Sequence, residues 1–362
     1  MIIIQSGTRA LFENKMKVLI VANLYPTKNL KHYGVFVKSI EKNLVKSGID
    51  TRRIVLPDFG FGFKGYSKFY YTVFKELLNT KDLVYVHYVS HSILPVLLAK
   101  IFNKKLKVVL NYHGSDAFPD EKHGFFAKTF RFFANFLANK NAIGIVFPSH
   151  YFRKQFLAKF NVSIPTYVSP SGGIKLTFPC GSELERKDGI LFAGRMIRGK
   201  GAVLAAKTIK KAKDINPCLQ ATFIGDGEEL GNVKSLLSGV GNVEYFNSLP
   251  QELLFEKMKS ASVFLFPSTR KGESLGLVLI EAMAQGCIPI AMKNGAVSEI
   301  LNFSPMLLIA DNENDFINKT LAILALSARE KSILLSKIRS ALLKYEAKRV
   351  GKELAIFLKE CS

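Results

Sequence analysis

Several absences narrow the possibilities. The 362 residues contain no run of about 18 apolar side chains, so no membrane-spanning helix is expected. The longest candidate, 92–102, is short and is interrupted by Pro95. Residues 1–15 lack a basic start, a long apolar segment and a cleavage site. They read as an extension before Met16 rather than as a signal peptide. Cysteine is scarce and scattered: Cys180, Cys218, Cys287 and Cys361 share no paired spacing. That argues against a disulfide framework and a zinc site, and for a reducing, cytoplasmic setting. His87 and His91 stand four apart, but they follow a strand-like run instead of sitting inside a helix, so they do not read as a metal pair. No GxxxxGK[ST] loop occurs. The first apolar run, 18–22, leads into Asn23-Leu24-Tyr25-Pro26, which disfavours a dinucleotide fingerprint there.

Negative charge is also scarce, chiefly in one half. Residues 1–180 hold 26 Lys and Arg against 9 Asp and Glu, a net +17, whereas 181–362 hold 25 against 20, a net +5. A basic body joined to a nearly balanced one suggests an anionic partner: nucleic acid, an anionic membrane or a phosphorylated acceptor. No nucleic-acid-binding motif accompanies the charge, and the cations are spread over the whole half, so nucleic acid is not expected.

With 48% apolar residues over this length, two domains with real cores are expected. Short apolar runs alternate with helical stretches. They lie at 18–22, 53–56, 83–86, 107–110 and 143–147, and then at 189–192, 219–224, 242–246, 263–266, 288–291 and 306–309. That alternation predicts an α/β protein with one helix-wrapped parallel sheet per half. The Gly-, Pro- and Ser-rich stretch at 169–182 marks the break, and 329–359 is helical in pattern.

The segment 272–285, GESLGLVLIEAMAQ, is the most informative. It follows the buried-strand pattern SVFLFPS, so the order is strand, Gly-containing loop, helix. Ser274, Leu275, Gly276 and Leu277 then stand at a helix N-terminus, whose free N–H groups suit an anion. Glu273 sits at the mouth and Glu281 about one turn in. A phosphate between them would leave two carboxylates to accept hydrogen bonds from hydroxyls on either side, as a nucleotide sugar would require. Arg195 and Lys200, after the 189–192 run, offer a guanidinium fork and a point ammonium for a diphosphate. Gly225-Asp226-Gly227 after the next run is a weaker phosphate-loop signal. His113, in His113-Gly114-Ser115-Asp116 at a strand end, reads either as a site residue or as a buried, hydrogen-bonded histidine.

In that order the pieces FAGRMIRGKG, FIGDGEE, FPSTRKGESLGLVLIEAMAQGCIPIA and GAVSEI resemble the retaining GT-B glycosyltransferases of the glycosyl transferase group 1 type, also called family 4. YGVFVKSIEKNLVKSGID and NYHGSDAF extend the likeness into the first half. The resemblance implies two Rossmann-like domains facing a cleft. The acceptor-side domain would span 1–177 and the nucleotide-sugar domain 178–344, and a final helix, 345–362, would pack back on the first. It implies that Arg195 and Lys200 hold the donor diphosphate and that Glu281 binds the ribose. Glu273 would hold the transferred sugar, with the amides around Leu275–Leu277 on the distal phosphate. His113 would face the sugar, while Gly34 and Gly225 would mark loops approaching the donor. The first-half loop reads YGVF where many relatives carry paired glycines, and Gly172-Gly173-Ile174 replaces an Asn-Gly-Val-Asp-like turn.

The implied reaction moves a hexose from a nucleoside-diphosphate sugar, UDP-linked rather than GDP-mannose, to a lipid-linked or surface-polysaccharide acceptor. No Asp-x-Asp sequence occurs, so no bridging metal and no cofactor are expected. A nucleotide-sugar epimerase and a non-catalytic binding protein of the same fold are the alternatives. Finally, 123–140 reads HGFFAKTFRFFANFLANK, with phenylalanines at helical spacing among cations. It is either an interfacial helix on the anionic inner face of the cell membrane or an ordinary core-facing helix.

Overall fold

The computed structural model describes residues 15–27, 33–56, 62–118, 124–178, 189–270 and 272–362, with the backbone alone for 125–127. The first half forms a six-stranded parallel sheet of β1 (Lys17–Ala22), β2 (Asp50–Val55), β3 (Leu83–His87), β4 (Val108–Asn111), β5 (Gly144–Phe147) and β6 (Thr166–Val168), in the order β2-β1-β3-β4-β5-β6. Helices α1 (Val35–Lys46), α2 (Phe63–Leu77), α3 (Val89–Phe102), α4 (Phe125–Asn141) and α5 (His150–Lys159) connect them. The second sheet contains β7 (Gly189–Ala193), β8 (Gln220–Ile224), β9 (Val243–Phe246), β10 (Val263–Phe266), β11 (Ile288–Met292) and β12 (Ile309–Ala310), ordered β12-β11-β10-β7-β8-β9. Its helices are α6 (Ala202–Ile215), α7 (Leu230–Leu236), α8 (Gln251–Ser260), α9 (Leu277–Ala284), α10 (Val297–Ile300), α11 (Pro305–Leu308), α12 (Glu313–Ala325) and α13 (Ala328–Leu342). A 3-10 turn at Leu343–Tyr345 leads into α14 (Ala347–Cys361).

Central strands are covered on both faces, which is why they read as unbroken apolar runs. Val18, Leu19, Ile20 and Val21 are all buried, as is the whole of β10. Strand order reverses between β1 and β3 in one sheet and between β7 and β10 in the other. Crevices open at such switch points beyond the strand C-termini, where ligands bind in open α/β sheets.

The chain crosses between halves twice, and the crossings are paired. The Ile174 amide donates to the Tyr345 carbonyl and the Ala347 amide to the Ile174 carbonyl, both at 2.8 Å. Past this point α14 packs on α1, burying Leu354, Phe357 and Leu358 in the same core as Val37, Ile40 and Leu44. Gly351 permits the close approach, since a Cβ there would stand 2.6 Å from Asn43 Cβ.

Four details depart from the sequence pattern. The apolar run at 306–309 is mostly helix: α11 takes Pro305–Leu308 and leaves only Ile309–Ala310 for the edge strand β12. β6 has no strong apolar signature, being a three-residue, half-buried edge. The helical stretch at 329–359 is two helices broken by the 3-10 turn. In α4, Ala134, Asn135, Ala138 and Asn139 face inward while Phe130, Phe133 and Phe136 stand 56%, 57% and 40% exposed. The phenylalanine stripe is therefore not the core face of this helix. Among the described residues no helix is long and apolar enough to cross a membrane.

Candidate active site

The loops after β7 and β10, the two strands at the second sheet's switch point, lie against one another. Gly201 caps α6 at φ +77, and a Cβ there would lie 2.4 Å from the Pro267 carbonyl oxygen. The Thr269 amide donates to the Gly199 carbonyl at 2.9 Å. This contact brings Lys200 to Glu273, with Nζ 2.5 Å from Oε2 and both side chains mostly shielded. Ser268 Oγ donates to the same carboxylate oxygen at 3.0 Å. Oε1 of Glu273 has no hydrogen-bond partner among the described residues.

α9 begins at Gly276, whose φ of +82 turns the chain into the helix with its first amides unpaired. Leu275 is buried beneath the turn. Leu277 opens the helix, and Glu281 follows one turn on. Gln251 Nε2, at the start of α8, donates to Glu281 Oε1 at 3.3 Å. Burial pushes the Glu281 carboxyl up to about 7, and the Gln251 bond opposes that rise. Nothing in the sequence singled out Gln251 or Ser268.

Arg195 stands exposed on the loop after β7 and forms no ion pair among the described residues. Its loop is braced by the loop after β8. The Met196 amide donates to the Asp226 carbonyl at 2.8 Å, and the Glu229 amide to the Met196 carbonyl at 2.8 Å. Gly225 makes this possible at φ +139, because a Cβ there would overlap the Gly194 carbonyl oxygen at 1.9 Å. Gly225→Ala should therefore lower stability by about 1–3 kcal/mol from the positive φ alone. It should also shift the Arg195 loop. Thermal melts and diphosphate titration check this, and an unchanged midpoint with unchanged affinity would contradict the bracing.

The first half meets this site through its own loop. Asp116 accepts from the amides of His113 at 3.0 Å, Gly114 at 2.8 Å and Val89 at 3.2 Å, which folds the 113–116 turn over β3 and β4. Burial raises its carboxyl to about 6 despite those bonds. His113 is packed between Phe36 and Tyr88, with ring centroids at 4.7 and 4.8 Å. Its Nε2 lies 3.0 Å from Nδ1 of His87. Burial, then His87, hold the imidazole of His113 well below its ordinary value, and burial takes His87 down to about 3. Both rings are thus neutral at pH 7, and Nε2 of His113 is committed to His87. Gly34 caps α1 at φ +66 with no room for a Cβ against the Leu24 carbonyl, and it sets Phe36 beside His113.

Ser274 pins the halves together: its Oγ donates to the His113 carbonyl at 2.7 Å, and its own carbonyl accepts from Ser149 Oγ at 2.6 Å. Its hydroxyl is turned to the first half. Glu299 adds a second tie, accepting from the His150 and Tyr151 amides at 3.2 and 3.0 Å. The structure therefore gathers Lys200, Glu273, Gly276, Leu277 and Glu281 around the β7–β10 crevice, with Arg195 and Gly225 at its rim. Gly34 and His113 face it from the other half.

Residues 181–342 match the family described as glycosyl transferases group 1. The second half of this chain is a group 1 glycosyl transferase domain. Over 112 residues the chain is 30% identical to the sulfoquinovosyl transferase SQD2 of Arabidopsis thaliana, a match covering 31% of this chain and 21% of that protein. Over 133 residues it is 24% identical to a GDP-mannose-dependent monoacylated alpha-(1-6)-phosphatidylinositol monomannoside mannosyltransferase of Corynebacterium glutamicum, covering 35% of each. These matches span about a fifth to a third of the curated relatives' length. Around the group 1 domain the whole fold is GT-B. The HepE protein of Anabaena, solved in complex with UDP, superposes with a TM-score of 0.72 at 14% identity, over 95% of this chain and all of that one.

Proposed function

We propose that the protein is a retaining glycosyltransferase. It would move a hexose from a nucleoside-diphosphate sugar, with uridine as the favoured base, to a lipid-linked or surface-polysaccharide acceptor at the inner face of the cell membrane. The observation carrying this reading is the Lys200–Glu273 pair at the β7–β10 switch point, just before the helix that carries Glu281 in its second turn. The UDP bound to HepE supports uridine. The corynebacterial relative is named for GDP-mannose, so both donors belong in any test.

The chemistry follows from the layout. The bond between the anomeric carbon and the phosphate oxygen breaks, and its electron pair goes to the diphosphate. Lys200, Arg195 and the first amides of α9 meet that charge as hydrogen-bond donors. Glu273 accepts from hydroxyls of the sugar through Oε1, and Glu281 accepts from the ribose. The acceptor hydroxyl attacks from the side the phosphate leaves, and its proton passes to a leaving-phosphate oxygen. His113 lines the sugar's far side as a neutral ring.

Incubation with UDP- and GDP-sugars plus a membrane lipid extract tests this. The expected result is release of free nucleoside diphosphate only when acceptor is present. Conversion of the sugar nucleotide without any acceptor would identify an epimerase instead. Because two cations and a helix terminus serve the leaving group, turnover should survive a chelator of divalent metals. Activity lost to chelation and restored by Mg²⁺ or Mn²⁺ would overturn that part of the mechanism.

The peripheral membrane contact rests on the +17 first half and on the outward phenylalanines of α4. Cations near an anionic leaflet are worth about 1 kcal/mol each. Vesicle binding should therefore weaken as salt rises.

A further inference from the structure

Of the nineteen large apolar side chains that stand most exposed among the described residues, nine lie on α3 and α4. These helices are neighbours. The Lys100 ammonium of α3 donates to the Asn141 carbonyl at the end of α4. On α3 the exposed set is Leu94, Leu98, Ile101 and Phe102, at 42%, 46%, 65% and 71%. The spacing of four between Leu94, Leu98 and Phe102 puts them on one side of the helix. Together with the α4 phenylalanines they form an apolar face made by two elements, larger than the scattered exposure expected of a monomer surface.

Charge decides what such a face meets. α3, the 103–107 turn and α4 hold seven Lys or Arg and no Asp or Glu. Lys140 Nζ lies 4.4 Å from the Phe136 ring centroid, so a cation stands beside the apolar surface. Apolar side chains on segments with this excess of cations match the acyl boundary and anionic headgroups of a leaflet.

The face also adjoins the acceptor side of the cleft. Arg131 Nη1 donates to the Ser115 carbonyl at 3.0 Å and Asn135 Nδ2 to the Asp116 carbonyl at 3.0 Å. The Val89 amide at the start of α3 donates to Asp116 Oδ2 at 3.2 Å. Both helices thus hold the turn that carries His113.

We propose that α3 and α4 together are the seat on which the protein rests on an anionic bilayer, and that this seat sets the 113–116 turn beside the lipid surface. The inference rests on the peripheral-membrane reading above and adds α3 to it. An acceptor anchored in the same leaflet would then reach the cleft from the side of the 113–116 turn.

The test compares three full-length proteins: unaltered, Leu94→Gln/Leu98→Gln/Ile101→Gln on α3, and Phe130→Gln/Phe133→Gln/Phe136→Gln on α4. Each is measured for sedimentation with mixed phosphatidylglycerol/phosphatidylcholine vesicles and with pure phosphatidylcholine vesicles, and for nucleoside-diphosphate affinity. All six side chains are exposed, so both variants should fold and bind nucleotide as before. Each triple should lower partitioning onto the mixed vesicles by about tenfold or more, and the unaltered protein should prefer mixed over pure vesicles. If only the α4 triple loses binding, the membrane reading stands and the α3–α4 seat falls. If neither loses it, both fall. Equal binding to the two vesicle types would overturn the anionic requirement. A concentration-dependent dimer in analytical ultracentrifugation, dissolved by the α3 triple, would show the face to be covered by a second copy instead.

Discussion

Lys200→Ala should lower kcat by about 10²- to 10³-fold, the usual effect of removing one fixed donor from a developing anion. KM for the donor should change far less, because the ammonium acts most strongly once the diphosphate gains charge. The resting pair adds a second signature. Lys200 and Ser268 share Oε2 of Glu273, so removing the ammonium leaves that carboxylate with a single hydroxyl partner. Glu273→Gln and Lys200→Ala should therefore be strongly non-additive: the double variant should lose little more than the worse single one. Steady-state kinetics on the four proteins, with thermal melts to confirm folding, measure this. Full additivity would mean that the two side chains serve separate ends.

The second large effect concerns the nucleotide itself. Glu281→Ala should weaken free nucleoside diphosphate and intact donor alike, since both share the ribose. One lost charge-assisted hydrogen bond costs about 1.5–3 kcal/mol, or roughly ten- to 150-fold in affinity. The pH dependence has a definite sign. Burial raises this carboxyl to about 7, so the folded protein holds a proton that the unfolded chain has released. Between its ordinary value of 4.5 and about 7 the group's contribution to stability therefore falls as pH rises. Ribose hydroxyls favour the ionised form, so nucleotide affinity should rise with pH through about 7 and binding should release a proton near neutrality. Calorimetry in buffers of different ionisation enthalpy detects that proton. A buffer-independent enthalpy at pH 7 would remove Glu281 from the ribose contact.

Much of this architecture is legible in the sequence because parallel strands buried on both faces are written as apolar runs. The runs at 263–266 and 288–291 coincide with β10 and the body of β11. Where burial is partial the signal fades: β6 is a short, half-buried edge. Where helix and strand compete for one apolar run, composition alone does not arbitrate. At 305–308 the overlooked cue was Pro305, which suits the first turn of a helix.

The site was legible as a set of loops but not as a set of contacts. Glu273 and Glu281 can be placed from the strand–glycine–helix order. Their partners come from elsewhere in the fold, Lys200 from 73 positions upstream and Gln251 from α8, while neighbouring Ser274 bonds to His113 and Ser149 of the other half. For His113, the sequence left a residue facing the cleft and a buried, hydrogen-bonded histidine both open. It did not show the contact of Nε2 with His87, a partner fixed by the side-by-side register of β3 and β4. The outward turn of the α4 phenylalanines was equally hidden, because helical spacing shows that a stripe exists and not which way it points.

The most direct measurement is thermal unfolding of the unaltered protein and of Glu281→Ala against a panel of UDP- and GDP-sugars. Ligands that bind only the native state raise the midpoint by mass action. At least one nucleoside-diphosphate sugar should raise the midpoint of the unaltered protein, with a much smaller rise in Glu281→Ala. No stabilisation by any member, or equal stabilisation of both proteins, would contradict a donor site in the β7–β10 crevice.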